Sequence, residues 1–366
     1  MKNTFGSALA LTIFGESHGR AIGGVLDGMA AGVPVDEEFI AACMDKRRAR
    51  GDGLSTPRVE ADNVQLLSGV VNGHTTGTAI ALMIENQNTR SDDYAKTADL
   101  LRPGHADYTA QVKFGGAQDV SGGGHFSGRL TAPLCIAGGV CMQLLEREGI
   151  SIRARILSIG HAMDSAPFDA PVAEKPFPAV SDDAAAAMQA EIAQAKADGD
   201  SVGGVVECVI DGLPAGIGEP MFGGLENLIA RAVFAIPAIK GVEFGLGFQA
   251  AARPGSQVHD PIVLADGEFR RTSNNAGGLE GGMTTGMPLI VTAAMKPIPT
   301  LMTPLETVNL DTLEVEEASK ERSDTCAVPA CAVVAESEVA FVLAEAYLEK
   351  FGRDNMADIK AAVKAY

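Results

Sequence analysis

The feature that most constrains this chain is that part of it occurs twice. Gly15-Glu16-Ser17-His18-Gly19 and the residues up to Val33 align without gaps on Gly199-Asp200-Ser201-Val202-Gly203 and the residues up to Ile217, 184 positions later, with eight of 19 residues identical. Further on, Gly73-His74-Thr75-Thr76-Gly77 matches Gly282-Met283-Thr284-Thr285-Gly286, 209 positions later and in the same order. A repeated unit of this kind predicts two related halves packed about a pseudo-twofold axis. Positions shared by both copies serve the backbone, as Gly and Asp-Gly do at turns. Positions that differ are freer to be functional, and His18 becomes Val202 in the second copy.

Short β-rich runs at 8–14, 24–27, 79–84, 205–210 and 289–293 alternate with helical patterns at 36–48, 131–148, 182–197, 225–235 and 337–351. There is no strict βαβ rhythm, so the expected class is α+β. The proline-rich stretch 162–178 reads as a surface excursion. No apolar run approaches 18 residues, so no membrane span is expected. The N-terminal apolar run is short and lacks a cleavage site, so it reads as a strand and the protein as cytoplasmic. Six cysteines without a CxxC pair fit free thiols.

Net charge is −18, which argues against a nucleic-acid partner. It is unevenly spread: residues 161–220 carry −9 and residues 303–366 carry −7. The remainder is close to balanced, and a pocket for an anionic ligand fits there.

Several segments carry chemistry. Gly15–Gly19 fits G-x-S-x-G, which makes Ser17 a candidate hydrolase nucleophile, but that motif needs a helix after the turn, and 20–27 reads as another strand, which favours a turn role for Ser17. Lys46-Arg47-Arg48-Ala49-Arg50 with Arg58 is either a helix end complementing its dipole or a clamp for phosphate or carboxylate. Arg102-Pro103-Gly104-His105-Ala106-Asp107 sets a histidine in a tight turn, where it can serve as a general acid. Gly122-Gly123-Gly124-His125-Phe126-Ser127-Gly128-Arg129 is a glycine-rich loop entering a helix, a natural anion site. A second such loop spans 273–282 and leads to Lys296-Pro297-Ile298-Pro299-Thr300, and Arg322-Ser323-Asp324 pairs a cation with a carboxylate. No histidine pair has metal-ligand spacing, so no metal is expected. No dinucleotide fingerprint is present.

Taken in order, these motifs resemble chorismate synthase. The elements are Gly15–Gly19 with Asp27-Gly28, Arg47-Arg48, Thr56-Pro57-Arg58, Arg102–Tyr108, Gly122–Gly124 with Ser127–Arg129, Lys240–Glu243, Asn274 with Ala276–Gly278, and Arg322–Asp324. They cover about residues 5–350. The resemblance implies a lyase that removes phosphate from 5-enolpyruvylshikimate 3-phosphate by 1,4-anti elimination, giving chorismate for aromatic amino acid synthesis with the help of reduced FMN. NADPH is a possible reductant. It implies catalytic roles for His105 (proton to the departing phosphate), His18 (reduced flavin) and Asp324 (helping the flavin N5 act as base). It places substrate on Arg47, Arg48 and Arg129. It places FMN on His125, Phe126, Ser127, Pro237, Ala238, Gly281, Lys296, Pro297, Ile298, Pro299, Thr300 and Arg322. It also implies one domain over 1–366, with halves of roughly 1–160 and 199–366, helices sandwiched between antiparallel sheets, and a homotetramer. The chain departs from the family pattern at Ala49-Arg50, where Pro-Gly is common, and at Gly53, His125-Phe126 and Pro237. The phosphate clamp and any NADPH contact are least defined there.

Overall fold

The computed structural model describes residues 2–48, 62–87, 99–168, 172, 175–320 and 323–366. The first copy contributes β1 (Thr4–Gly6), β2 (Ala10–Gly15), β3 (Ala21–Asp27), α1 (Glu37–Arg47), β4 (Val64–Leu66), the hairpin β5 (Val70–Val71) and β6 (His74–Thr75), and β7 (Ile80–Glu85). Then come α2 (Asp107–Phe114) and α3 (Thr131–Arg147). The chain continues with β8 (Ser151–Ile159), β9 (Ala162–Met163), α4 (Asp182–Ala197), β10 (Gly204–Asp211), α5 (Leu225–Val233), β11 (Ile239–Phe244) and the hairpin β12 (Ile262–Ala265) and β13 (Glu268–Arg271). A second hairpin, β14 (Leu279–Glu280) and β15 (Met283–Thr284), leads to β16 (Leu289–Met295). β17 (Glu306–Val308), β18 (Val315–Glu317), α6 (Val328–Phe351) and α7 (Met356–Ala365) complete the order.

Two antiparallel five-stranded sheets, β1-β2-β3-β7-β4 and β9-β8-β10-β16-β11, run in equivalent order. The duplication extends to register. Ala21 pairs with Glu85 in one sheet, and their counterparts Val205 and Ala294 pair in the other. A buried threonine repeats as well. Thr75 Oγ1 donates to Ala30 O (2.5 Å) and accepts from Val33 N (2.9 Å), while Thr284 Oγ1 donates to Pro214 O (2.6 Å) and accepts from Ile217 N (2.9 Å). The class is α+β with an internal pseudo-twofold, as the repeat predicts. By this correspondence β8 is the counterpart of β2, so the second copy starts near residue 151.

α3 and α6 lie between the sheets, α3 against β3 and β7, α6 against β8 and β10. Both are apolar on nearly every face, the pattern of a helix buried on all sides. They approach closely at Gly138, where an added Cβ would sit 2.4 Å from the Ser337 Cβ. The expectation about apolar runs needs correction. Gly128–Arg147 is long and apolar enough to cross a membrane, but 83 % of that window is buried within the protein, so its apolar surface is already covered.

The expected helices 36–48, 131–148 and 182–197 match α1, α3 and α4 closely. α6 begins at Val328, nine residues before the expected start, because Pro329 sits in its first turn, where the missing N–H costs nothing. All six cysteines are free and buried. Burial pushes the Cys43, Cys135 and Cys331 thiols up to about 12, which leaves them inert as nucleophiles.

Candidate active site

The turn Gly15–Gly19 joins β2 directly to the antiparallel β3. A nucleophile elbow needs a helix after the serine, so the hydrolase reading of Ser17 fails on topology. Ser17 is 1 % exposed and structural: its hydroxyl lies 3.0 Å from His18 Nδ1 and donates to Ser121 O, and its N–H donates to Gly124 O. Asn86 fastens the turn from β7, donating to Glu16 O (3.1 Å) and Gly19 O (2.8 Å). The His18 ring lies directly on Gly122, where an added Cβ would be 2.5 Å from the ring.

Arg102 and Asp107 form the second part of the site. The Asp107 carboxylate accepts from Arg102 N (2.9 Å), Arg102 Nε (2.7 Å) and Arg102 Nη2 (2.8 Å), and it lies 2.5 Å from His105 Nδ1. Arg102 Nη2 also donates to Gly122 O at 2.8 Å. Burial works to raise the Asp107 carboxyl, but hydrogen bonds from Arg102 and His105 and their charges outweigh it. They hold it well below the usual carboxylate range. A cleft beside this network is lined by Leu101, Arg102, Asp107, Val120, Gly122 and Phe126.

The third part is cationic. Arg47 at the end of α1 and Arg129 before α3 converge on Asp62, whose side chain is 2 % exposed. Arg47 also donates to Thr131 Oγ1 (3.2 Å), and Arg129 Nε donates to Asn86 Oδ1 (3.3 Å). This joins the guanidiniums to the His18 turn. Among the described residues both guanidiniums meet the same carboxylate, and the buried Arg47 Nε has no partner there. That donor set suits a phosphate or carboxylate. Arg48 is not part of the cluster. It pairs with Asp45 at 3.0 Å on the partly exposed helix end.

The second copy closes the site. Lys296 Nζ donates to Gly104 O (3.1 Å) in the His105 turn, and an added Cβ at Gly104 would lie 3.4 Å from Pro299. Burial, and secondarily the charge of Lys240, lower the Lys296 ammonium's hold on its proton. Ala238, in left-handed backbone at φ 72°, accepts from Lys296 N at 2.9 Å, which sets Pro237-Ala238 beside Lys296-Pro297. Ser201, the counterpart of Ser17, donates to Ile298 O (2.6 Å), close to Thr300. Val202 N donates to Thr325 O (3.0 Å), beside Asp324, much as Ser17 N meets Gly124 O. His125 Nδ1 lies 3.0 Å from Gly15 O, Phe126 packs at 6.4 Å from Phe114, and Ser127 Oγ accepts from Arg129 N.

Gly281 lies at the tip of the β14–β15 hairpin that precedes β16, whereas Lys296 follows β16, and seven strand residues span about 20 Å. Arg322, Arg50, Gly53 and Thr56–Arg58 lie outside the described residues. Asp62 and Asn86 were not singled out in the sequence. Their roles come from chain segments that meet only after folding, so no local signal marks them.

A family model described as chorismate synthase matches residues 9–348. The chain belongs to the chorismate synthase family. A chorismate synthase of Korarchaeum cryptofilum is 44 % identical over 347 residues, covering 93 % of this chain and 96 % of that protein. One from Thermococcus kodakarensis is 44 % identical over 353 residues, covering 96 % and 99 %. A crystal structure of chorismate synthase superimposes with a TM-score of 0.76 at 35 % identity, covering 98 % of this chain and 97 % of that one. The chain is therefore an enzyme of a carbon–oxygen lyase family in the shikimate pathway, acting on a small molecule.

Proposed function

We propose that the chain converts 5-enolpyruvylshikimate 3-phosphate to chorismate and phosphate by 1,4-anti elimination, with reduced FMN bound at the junction of the two copies. The supporting observation is the junction itself. His18 and His105 are linked through Gly122 and Arg102, two guanidiniums share one buried carboxylate beside them, and Lys296 reaches across from the second copy.

The residues fit a flavin mononucleotide. Phe126, Pro297 and Pro299 offer apolar surface for a flat ring, and Lys296 offers a cation for an anionic group. His125, Phe126, Ser127, Pro237, Ala238 and Lys296 through Thr300 would hold the group, with Arg322 assigned by resemblance. When bound, reduced FMN supplies transient electron density that eases departure of the phosphate. Arg47 and Arg129 bind the substrate's anionic groups, with Arg48 at the edge. His105 donates a proton to the departing phosphate oxygen. His18 stabilises the charge of the reduced cofactor, and Asp324 assists loss of the C6 hydrogen. The C–O bond to phosphate and the C6–H bond break, a new double bond forms, and no net oxidation results.

We read residues 1–366 as one domain, assembled as a cytoplasmic homotetramer, without nucleic-acid or membrane partners and with NADPH as one possible source of electrons. The test is turnover by purified protein with dithionite-reduced FMN under anaerobic conditions, against NADPH plus FMN in air. Failure to bind FMN, together with no chorismate under either condition, refutes the reading. Light scattering in solution checks the tetramer.

A further inference from the structure

We propose that Asp107 is the positioning residue of His105: its carboxylate holds the imidazole with the proton on Nδ1, leaving Nε2 for the substrate, and Arg102 ties this arrangement to the shelf under His18. The inference rests on the elimination reading for its catalytic meaning but on contact geometry for its substance.

The four contacts to the Asp107 carboxylate come from groups that can only donate or, for His105, must donate. Arg102 N and Nε meet Oδ2 at 2.9 and 2.7 Å, while Arg102 Nη2 and His105 Nδ1 meet Oδ1 at 2.8 and 2.5 Å. An ionised carboxylate is acceptor-only, so an Nδ1 at 2.5 Å has to carry hydrogen. Arg102 Nη2 also lies 3.2 Å from His105 Nδ1, but its two hydrogens have better acceptors at 2.8 Å in Asp107 Oδ1 and Gly122 O. The contact with the ring therefore does not compete for the Nδ1 position. His105 Nε2 makes no hydrogen bond among the described residues, and the side chain is 16 % exposed.

The charged groups around His105 come from two elements. Arg102 and Asp107 lie on its own turn, and Lys296 reaches the adjacent Gly104 O from the loop after β16. Arg102 has a second function through Gly122. Its guanidinium holds the carbonyl of the residue on which the His18 ring rests. One side chain thus fixes the supports of both histidines.

Asp107→Asn is the informative change because an amide cannot accept four donors. Whichever way it flips, its NH2 faces two of them: either Arg102 N and Nε, or Arg102 Nη2 and His105. In the second orientation the imidazole is driven to the opposite tautomer. We expect kcat to fall at least about tenfold, the order seen when a group orienting an essential histidine is removed, with KM within about threefold. In a His105→Ala background the same change should cost less than about threefold, since a residue acting through His105 has nothing left to act on. Equal losses in both backgrounds would overturn the proposal.

A readout independent of turnover is the tautomer of His105 in the unaltered chain, read by nitrogen-15 NMR and assigned by its disappearance in His105→Gln. The Nδ1–H form supports the proposal, and the Nε2–H form overturns it even if Asp107→Asn does not fold. A chain that shows Nδ1–H yet makes no chorismate would remove the elimination reading and leave the pairing standing.

Discussion

Gly122→Ala isolates the contact between the glycine-rich loop and His18. Gly122 has φ 61°, and an added Cβ would stand 2.5 Å from His18 Cε1, 2.6 Å from Nδ1 and 3.4 Å from Ser17 Oγ. Carbon atoms normally approach to about 3.5–4.0 Å, so the ring has to retreat by about 1 Å. A displacement of that size at a reacting group costs about 100-fold in rate. The left-handed backbone adds roughly 1–2 kcal/mol of destabilisation for a residue with a Cβ. Gly149→Ala separates the two effects. Gly149 also has positive φ, at 79°, but an added Cβ there meets nothing within 4 Å. Both variants should lose similar stability in denaturant melts. Only Gly122→Ala should lose kcat, measured as chorismate formation with saturating reduced FMN. Full activity in Gly122→Ala, or an equal loss in Gly149→Ala, would refute the role of this contact.

Three other outcomes are expected. Ser17→Ala should keep at least about a tenth of the activity, since a buried turn hydroxyl contributes on the order of 1 kcal/mol; complete loss with cofactor binding intact would reinstate a nucleophile. Asp62→Asn should cost about 3–5 kcal/mol, because Arg47 and Arg129 lose a buried carboxylate partner, and added inorganic phosphate should recover part of it in thermal melts; a cost under about 1 kcal/mol counts against the shared anion site. Glu338, buried on α6, has its carboxyl pushed up to about 8 by burial. The unfolded chain ionises near an ordinary glutamate value while the folded chain keeps the proton, so stability falls as pH rises from about 4.5 to 8. Glu338→Gln should flatten that decline by roughly 1–4 kcal/mol between pH 5 and 8.5, and an unchanged slope would contradict it.

Much of the fold was legible in the sequence because the repeat carries backbone information. Glycine and Asp-Gly turns recur at fixed offsets, and the strands between them follow in register. β8 was harder to see. Arg153 and Arg155 interrupt its apolar pattern, and only the folded chain shows Arg153 paired with Asp211 and Arg155 paired with Glu207 across the strand pair. α2 and α7 are short, at 8 and 10 residues, and too weakly patterned to stand out. At the site, the histidines and arginines were visible as unusual residues in unusual turns. Asp62 and Asn86 were not, since each matters only through side chains from distant segments. Arg48, just past the end of α1, pairs with Asp45, a partner that its place in the cationic run did not reveal.

The matched registers of the two sheets have a consequence for how a small, lopsided molecule can be held. An assembly of two identical chains about a twofold axis must offer every ligand two equivalent places. Joining the copies in one polypeptide lifts that requirement. The same turn can carry His18 at one end and Val202 at the other, and the loops beside each can diverge. A single substrate with distinct faces, acid on one and base on another, can then lie across the former axis with different neighbours on each side.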